Sequence, residues 1–237
     1  MMYLISDVHG QLADFKKLLR KIKFNSENDK LIILVDVLDR GPDGILLLDY
    51  ISPFIRKGVM ELIMGNHELS AAMYLKGDMN RNTWTAFGGE HTLKAIEQLD
   101  DTRKLNLLNF LKALPYYKEI DTPFLGPTIV CHTGIDCENY VYNDNGTIIL
   151  KRFIEKALQN NVYSYMIGMD IHDVPASDRS RFDQYMIVGH VPCSRLNIDG
   201  SNSFYCTDYY MCIDAGAGHK GGILDCYCVD IDKSIYL

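Results

Sequence analysis

The chain has 237 residues, of which 47% are hydrophobic and 23% charged, which is enough apolar content to bury a sizeable core. This composition excludes intrinsic disorder, collagen and small disulfide-stapled folds. With 24 Lys and Arg against 31 Asp and Glu, the formal net charge is -7, so we expect no general attraction to nucleic acid or to an anionic membrane.

Two further features bear on the cellular compartment. No apolar run approaches the roughly 18 to 20 residues that a membrane span needs, and the opening MMYLISD is too short and uncharged for a signal peptide. We therefore expect a cytoplasmic protein with no membrane partner. The seven cysteines contain no CxxC pair and predict neither a disulfide framework nor a zinc ribbon. Cys226 and Cys228 are two residues apart, which predicts core positions on one strand face.

Three strand–loop–helix units open the chain. Apolar runs at 2–5, 31–35 and 61–64 are each followed by a short polar loop and then by apolar residues that can form a helix. Consecutive units of this kind predict parallel strands joined by right-handed crossovers.

The middle of the chain, from about 77 to 115, is predicted to be mostly helical. Four leucines there are spaced for one buried helix face: Leu105, Leu108, Leu111 and Leu114. The later strand-like segments are interpreted as antiparallel hairpin strands, at 128–132, 185–188, 210–213 and 223–231. The stretch 140–181 is rich in Asn, Asp and Tyr and gives no clear pattern.

Asp, Asn, His and Arg residues crowd the loops that follow the strand-like segments. Because the carboxyl ends of adjacent parallel strands meet at one edge of a sheet, we expect these loops to be neighbours in space. The residues concerned are Asp7, His9, Asp36, Asp39, Arg40, Asn66, His67, His132 and His190.

Carboxylate, carboxamide and imidazole groups together suit borderline divalent ions such as manganese, iron or zinc. One shared carboxylate can hold two cations about 3.5 to 4 Å apart, a spacing that bridges a hydroxide and grips the oxygens of a phosphate. This set of residues therefore predicts a phosphate-ester hydrolase.

The motifs DVHG, DVLDRGP, GNHE, CHTG and VGHVP, in this order, resemble those of the calcineurin-like metallophosphoesterases. The likeness is greatest to the phosphoprotein phosphatase branch, and within it to the lambda-phage type of Ser/Thr protein phosphatase. It covers nearly the whole chain, including Trp84 and the segment CIDAGA at 212–217. The resemblance implies a single catalytic domain over 1–237 with an α/β fold, a metallophosphoesterase-type β-sandwich of mixed sheets flanked by helices in four α/β/β/α layers.

The resemblance also implies two divalent metal ions, with manganese as first choice and iron or zinc as alternatives. Six residues would bind them: Asp7, His9 and the shared Asp36 at the first ion, and Asp36 with Asn66, His132 and His190 at the second. The implied substrate is a phosphorylated protein or a small phosphate ester.

Five further residues receive roles in this comparison. A departing serine or threonine alkoxide needs a proton, so His67 would be the general acid and Asp39 would assist it. Arg40 would hold a phosphate oxygen with its planar donors. His219 and Lys220 lie in a glycine-rich stretch that overhangs the site in the family, and they are candidate substrate-binding residues that would add positive charge.

The chain also departs from the family pattern. Ser6 and Val35 stand where the family usually has glycine, and a second phosphate-binding Arg is missing from the segment between the two late histidines. Arg152, Arg179 and Arg181 are possible substitutes for that arginine.

Three functions remain open at this stage. The first is a protein Ser/Thr phosphatase that uses a metal-bridging hydroxide to hydrolyse phosphate monoesters. The second is a symmetrical diadenosine tetraphosphate hydrolase, although Asp39 and Glu68 count against it because related motifs tend to lack the first and to carry Asp in place of the second. The third is a catalytically quiet binding protein of the same fold, motivated by the departures from the family pattern.

Overall fold

The computed structural model of the chain describes residues 1–34, 36–133, 135, 137–168 and 170–237. Val35, which stands where the family usually has glycine, lies outside the described residues.

The strands of the described part form two five-stranded sheets. They are β1 (Met2–Ile5), β2 (Lys30–Ile33), β3 (Met60–Leu62), β4 (Tyr117–Thr122), β5 (Gly126–Cys131), β6 (Tyr185–Val188), β7 (Tyr205–Cys206), β8 (Tyr210–Cys212), β9 (Asp225–Cys228) and β10 (Lys233–Tyr236). The strand order is β10-β9-β1-β2-β3 in the first sheet and β4-β5-β6-β8-β7 in the second.

Helices connect and flank these strands. They are α1 (Leu12–Lys21), α2 (Gly44–Arg56), α3 (Asn66–Lys76), α4 (Arg81–Ala86), α5 (Glu90–Glu97), α6 (Asp101–Lys112), α7 (Leu150–Ile167), α8 (Ala176–Arg179) and α9 (Cys193–Leu196). None of the helices among the described residues is long and apolar enough to cross a membrane.

The first sheet follows the predicted pattern. β1, β2 and β3 are parallel neighbours, and α1 and α2 make the crossovers between them. β9 joins the other side of β1 in an antiparallel pairing and carries Cys226 and Cys228, which are both buried as predicted.

The second sheet corrects the interpretation of the late strands as antiparallel hairpins. β5, β6 and β8 are parallel to one another, and only the edge strands β4 and β7 pair antiparallel within this sheet. The glycine-rich stretch 216–222 connects β8 to β9 in the other sheet, so it does not close a hairpin. A short apolar run carries no signal for the direction of its neighbour, which explains the error.

The two sheets pack face to face through aliphatic side chains. Leu4 and Ile32 of the first sheet belong to one buried cluster with Val130, Ile187 and Met211 of the second. Each such side chain contributes about 1.5 to 3 kcal/mol when it is fully buried. The predicted fold class, two mixed sheets flanked by helices, is confirmed.

The helical region between β3 and β4 is also as predicted, although its leucine face is incomplete. Leu111 and Leu114 are buried, whereas Leu105 is 57% exposed. The stretch without a clear pattern contains α7, in which Asn161 has non-helical backbone angles (φ -161°, ψ 102°). This break interrupts the helical period and explains why the sequence did not reveal the helix.

Candidate metal centre and catalytic site

The strand-end loops carry most of the unusual backbone conformations in the described part of the chain. Positive φ is uncommon for residues other than glycine, and such conformations concentrate at functional sites. Six of the eight described non-glycine residues with positive φ are residues singled out from the sequence: Asp7, His9, Asp36, Asp39, Arg40 and His190.

The loops after β1 and β2 are joined by backbone hydrogen bonds. The N–H of His9 donates to the carbonyl of Asp36 at 2.6 Å, and the N–H of Gly10 donates to the carbonyl of Val37 at 2.8 Å. These bonds fix the two loops side by side, so the predicted proximity of their side chains is observed.

One cluster of unpartnered atoms lies between these two loops. Nε2 of His9 is 3.9 Å from Oδ1 of Asp7 and 3.8 Å from Oδ2 of Asp36, and all three atoms are buried without a hydrogen-bond partner. Nδ1 of His9 lies 3.0 Å from the carbonyl of Leu38, which favours the tautomer whose Nε2 lone pair faces the carboxylates.

A second cluster shares Asp36. Nε2 of His132 is 3.6 Å from Oδ2 of Asp36 and 2.6 Å from Oδ1 of Asn66. His190 completes this group, because its ligand atom lies within 4.8 Å of those of Asp36 and His132, and its buried Nδ1 has no partner. Oδ2 of Asp36 therefore lies between two groups of potential ligands, and the role of a ligand shared by two ions, which the family resemblance implies for Asp36, stays a prediction.

Burial sets the protonation of these groups. It raises the pKa of the Asp36 carboxyl well above its usual range, with Asp7 and Glu68 adding to the effect. It lowers the pKa of His9 and His132 well below the usual value, and lowers that of His190 to about 4. Neutral imidazoles with free lone pairs beside buried carboxyl groups fit divalent cations, whose positive charge would favour the ionised carboxylates.

His67 and Asp39 form a buried pair beside these clusters. Nδ1 of His67 lies 2.7 Å from Oδ2 of Asp39, while its Nε2 is 3.9 Å from Oδ2 of Asp36. The indole N–H of Trp84 donates to the same Asp39 oxygen at 2.7 Å, and the backbone N–H of Asp39 donates to the Thr92 hydroxyl. The Asp39 carboxylate is thus fixed. Its contact with Nδ1 orients the other ring nitrogen of His67, Nε2, toward Oδ2 of Asp36.

Glu68 has a structural role that the sequence does not predict. Its carboxylate accepts the backbone N–H groups of Asp36, Val37 and Leu38 at 2.9 to 3.0 Å. In the sequence, Glu68 serves only to compare motifs between related proteins. Its position directly after His67, at the same sheet edge, is the signal that could have revealed this role.

The side chains of Arg40 and His219 are in contact, through Nη1 of Arg40 and Nε2 of His219. Burial, with Arg40 as the next cause, lowers the pKa of His219 to about 4. Lys220 is exposed and lines, with His219 and Gln11, an open polar groove of about 330 Å³.

The three arginines proposed as substitutes for the missing phosphate-binding arginine differ in their surroundings. Arg152 is exposed on α7, Arg179 lies over the Tyr210 ring, and Arg181 lies over another tyrosine ring and donates to a loop carbonyl. Arg195 was not considered from the sequence, yet its positive charge adds to the lowering of the pKa of both His190 and His219. Its position five residues after His190 was the signal that could have revealed it.

Comparison with known proteins identifies the family. A family model described as calcineurin-like phosphoesterase matches residues 2–212. The chain belongs to the calcineurin-like phosphoesterase family. Members of this family use a dinuclear site for divalent metal ions, and the two clusters around Asp36 supply candidate ligands for such a site.

Similar curated proteins share one name. Proteins named symmetrical bis(5'-nucleosyl)-tetraphosphatase match from Pectobacterium atrosepticum (25% identical, 73% of this chain and 56% of the relative), Coxiella burnetii (29%, 68% and 50%) and Buchnera aphidicola (33%, 56% and 44%). The chain spans about half the length of these relatives.

Solved structures support the fold. A protein serine/threonine phosphatase from Saccharomyces cerevisiae has a TM-score of 0.63 at 15% identity, covering 100% of this chain and 78% of that one. A cold-active protein-tyrosine phosphatase of a psychrophilic Shewanella has a TM-score of 0.59 at 15% identity, covering 99% and 76%. At this identity the likeness concerns the fold alone.

Proposed function

We propose that this phosphoesterase cleaves a phosphoric anhydride bond in a dinucleoside polyphosphate, the second of the three functions left open by the sequence. The observation that carries the proposal is the match to proteins named symmetrical tetraphosphatases over 56 to 73% of the chain. For the first function, a protein Ser/Thr phosphatase, the support is a structural neighbour at 15% identity, and that likeness concerns the fold alone. Asp39 and Glu68, which count against a tetraphosphatase in the sequence, are therefore weaker indicators than the match to these proteins.

The distribution of positive charge agrees with this proposal. Arg40 contacts His219, Arg195 acts electrostatically on the same imidazole, and Lys220 follows it in the chain. Three cationic side chains exceed what a single phosphate group needs, and they suit a substrate that carries several phosphates in a row.

The metal ions would be held by the two clusters that share Asp36, with Asp7 and His9 on one side and Asn66, His132 and His190 on the other. When bound, two such cations supply a water of lowered pKa and offset the negative charge that develops on the phosphate. Ser6 and the backbone N–H of His190 both donate to Oδ2 of Asp7 and so orient its other oxygen toward His9.

The remaining roles belong to side chains of the protein. Arg40 binds non-bridging phosphate oxygens through its planar donors. Water oxygen adds to phosphorus while the bond from that phosphorus to a bridging oxygen breaks, and the nucleotide on that oxygen leaves. Nε2 of His67 can give a proton to the leaving oxygen, and Asp39 at its other nitrogen stabilises the charged ring. Symmetrical cleavage of diadenosine tetraphosphate would consume one water and release two molecules of ADP.

The His67–Asp39 pair favours a second candidate, hydrolysis of a phosphoserine or phosphothreonine ester. A serine or threonine alkoxide is a much poorer leaving group than a nucleotide phosphate, so a dedicated proton donor matters more for the ester. The same pair would be useful to either reaction, and substrate comparison separates the two.

The test uses purified chain loaded with manganese and three substrates: diadenosine tetraphosphate, a phosphothreonine peptide and an aryl phosphate. We expect turnover of the tetraphosphate with ADP as the sole nucleotide product by chromatography, and Asp36→Asn as the inactive control. Release of phosphate from the peptide with an intact tetraphosphate would favour the second candidate. No turnover of any of the three substrates after confirmed metal loading would favour the third function, a binding protein without catalytic activity.

A further inference from the structure

We propose that His219 is a positioning residue that holds the Arg40 guanidinium in the orientation that binds a substrate phosphate. The inference deepens the proposed function and rests on it for the identity of the substrate. The contact itself is a property of this chain, at a position where the sequence suggested only an added positive charge.

The chemistry of the two groups determines which of them donates the hydrogen bond. A guanidinium has donors only and stays protonated in proteins. Nε2 of His219 must therefore accept from Nη1 of Arg40, which requires a neutral imidazole. His219 thus acts as a hydrogen-bond acceptor toward Arg40, and the positive charge at this place belongs to the arginine.

The turn that carries His219 is built against Arg40. Gly218 has φ +81°, and a Cβ there would lie 2.8 Å from Cβ of His9 and 3.4 Å from Cβ of Arg40. Only a residue without a side chain lets the turn come this close. Oδ1 of Asp214 accepts the N–H of Gly216 at 2.7 Å and holds the start of the turn.

Arg40 is also held from a second direction. Its backbone N–H donates to the carbonyl of Gly88 at 2.9 Å, and a Cβ on Gly88 would lie 3.3 Å from Cγ of Arg40. The arginine is therefore enclosed between the loop at Gly88 and the turn at Gly218, with His219 contacting its terminal group.

A neutral partner suits a phosphate-binding arginine better than a carboxylate does. Within the described residues, no carboxylate lies within salt-bridge distance of the Arg40 guanidinium. The His219 contact does not neutralise the guanidinium, so its positive charge can still attract an anion. It also restricts the Arg40 side chain before phosphate binds, so less rotamer entropy is lost on binding.

The experiment measures binding of inorganic phosphate to the manganese-loaded protein by titration calorimetry, which needs no turnover. We expect His219→Leu to weaken phosphate binding about tenfold, and His219→Gln, which can still accept from Arg40, to restore it to within about threefold. Arg40→Ala should weaken binding further, and adding His219→Leu to Arg40→Ala should change nothing more.

Asn202→Ala is the matched control, because Asn202 Nδ2 donates to the carbonyl of Gly221 in the same turn and has no contact with Arg40 among the described hydrogen bonds. It should leave phosphate binding within about twofold of the original chain. The proposal is overturned if His219→Leu has no effect, if it weakens binding equally without Arg40, or if Asn202→Ala has the same effect. A chain that satisfies this cycle but leaves diadenosine tetraphosphate intact would refute the proposed substrate alone.

Discussion

The hydroxyl of Ser6 donates to Oδ2 of Asp7, the carboxylate whose other oxygen faces Nε2 of His9. Both Ser6 and Asp7 are buried, and the hydroxyl occupies space beside Gly189, where any Cβ would overlap it. The serine that departs from the family glycine thus makes a bond that a glycine could not make.

We therefore expect Ser6→Ala to weaken binding of the first metal ion about tenfold, the usual effect of removing a residue that orients a ligand. Of the hydrogen bonds that the described residues make to the Asp7 carboxylate, the one from the backbone N–H of His190, at 3.0 Å, would remain. Titration of metal-free protein with manganese measures the change. Ser52→Ala, which removes a hydroxyl bonded within α2, is the control and should bind manganese normally. Equal affinities of Ser6→Ala and Ser52→Ala would refute the role of Ser6.

The space beside Ser6 gives a second test of the same contact. Gly189→Ala places a Cβ on the Ser6 hydroxyl and on Oδ2 of Asp7, so it should weaken manganese binding at least as strongly as Ser6→Ala. Combining it with Ser6→Gly removes the nearest overlap and should recover part of the loss. No recovery in the double variant would show that the overlap with Asp7 dominates.

Asp36 is the residue on which both metal positions depend. Its Oδ2 lies 3.8 Å from Nε2 of His9 and 3.6 Å from Nε2 of His132, which belong to different clusters. We expect Asp36→Asn to lower the manganese content from two equivalents to one or none, because the amide cannot supply a shared negative oxygen. Metal analysis after dialysis gives the count, and retention of two equivalents would show that Asp36 is not the bridge.

The proton-donor role of His67 predicts a dependence on the leaving group. His67→Asn removes the ring nitrogen that lies near Asp36 and breaks the bond to Asp39. We expect turnover of an alkyl phosphate to fall by about 10² to 10⁴, and that of an aryl phosphate with a good leaving group to fall much less. Asp39→Asn should follow the same trend with a smaller loss. Equal losses on both substrates would remove the acid role.

Glu68 is predicted to contribute mainly to stability and to the shape of the loop after β2. Glu68→Ala leaves three buried N–H groups without their acceptor and should lower the free energy of unfolding by about 3 kcal/mol. Glu68→Gln should cost less, because its remaining oxygen can still accept from Val37 and Leu38. Urea unfolding measures both, with exposed Glu27→Ala as control. A loss for Glu68→Ala no larger than the control's would contradict this account.

The sequence predicted the elements that have a strong local signal. The βα units and the loop residues that follow them were accessible because the period changes at Asp7, Asp36 and Asn66 from strand to helix. The convergence of His132 and His190 on Asp36 followed from the family resemblance rather than from spacing.

Other features depend on contacts between distant residues. Trp84 reaches Asp39 across 45 positions and His219 reaches Arg40 across 179, and no local pattern encodes such pairings. The parallel direction of β5, β6 and β8 is likewise decided by the packing of the whole sheet. The Ser6 hydroxyl lies beside Gly189, which is distant in the chain but adjacent in space, so no local pattern predicts this proximity.

The pH dependence of stability should report on Asp170. Burial, with Asp173 and Asp7 as further causes, raises the pKa of its carboxyl from 3.8 to about 7. Because the pKa is higher in the folded state, folding favours the protonated carboxyl. Its contribution is full below pH 3.8 and is lost as the pH rises toward about 7, by a few kcal/mol at most.

Asp170→Asn mimics the protonated form and should remove this part of the pH dependence. We expect the variant to match the original chain near pH 4 and to exceed it in free energy of unfolding by on the order of 2 kcal/mol at pH 7.5. Urea unfolding of manganese-loaded protein between about pH 4 and about pH 7.5, in steps of about one pH unit, measures the difference. Asp144→Asn, at an exposed site, should leave the profile unchanged. Parallel profiles for Asp170→Asn and the original chain would show that the Asp170 carboxyl is ionised in the folded protein throughout this range.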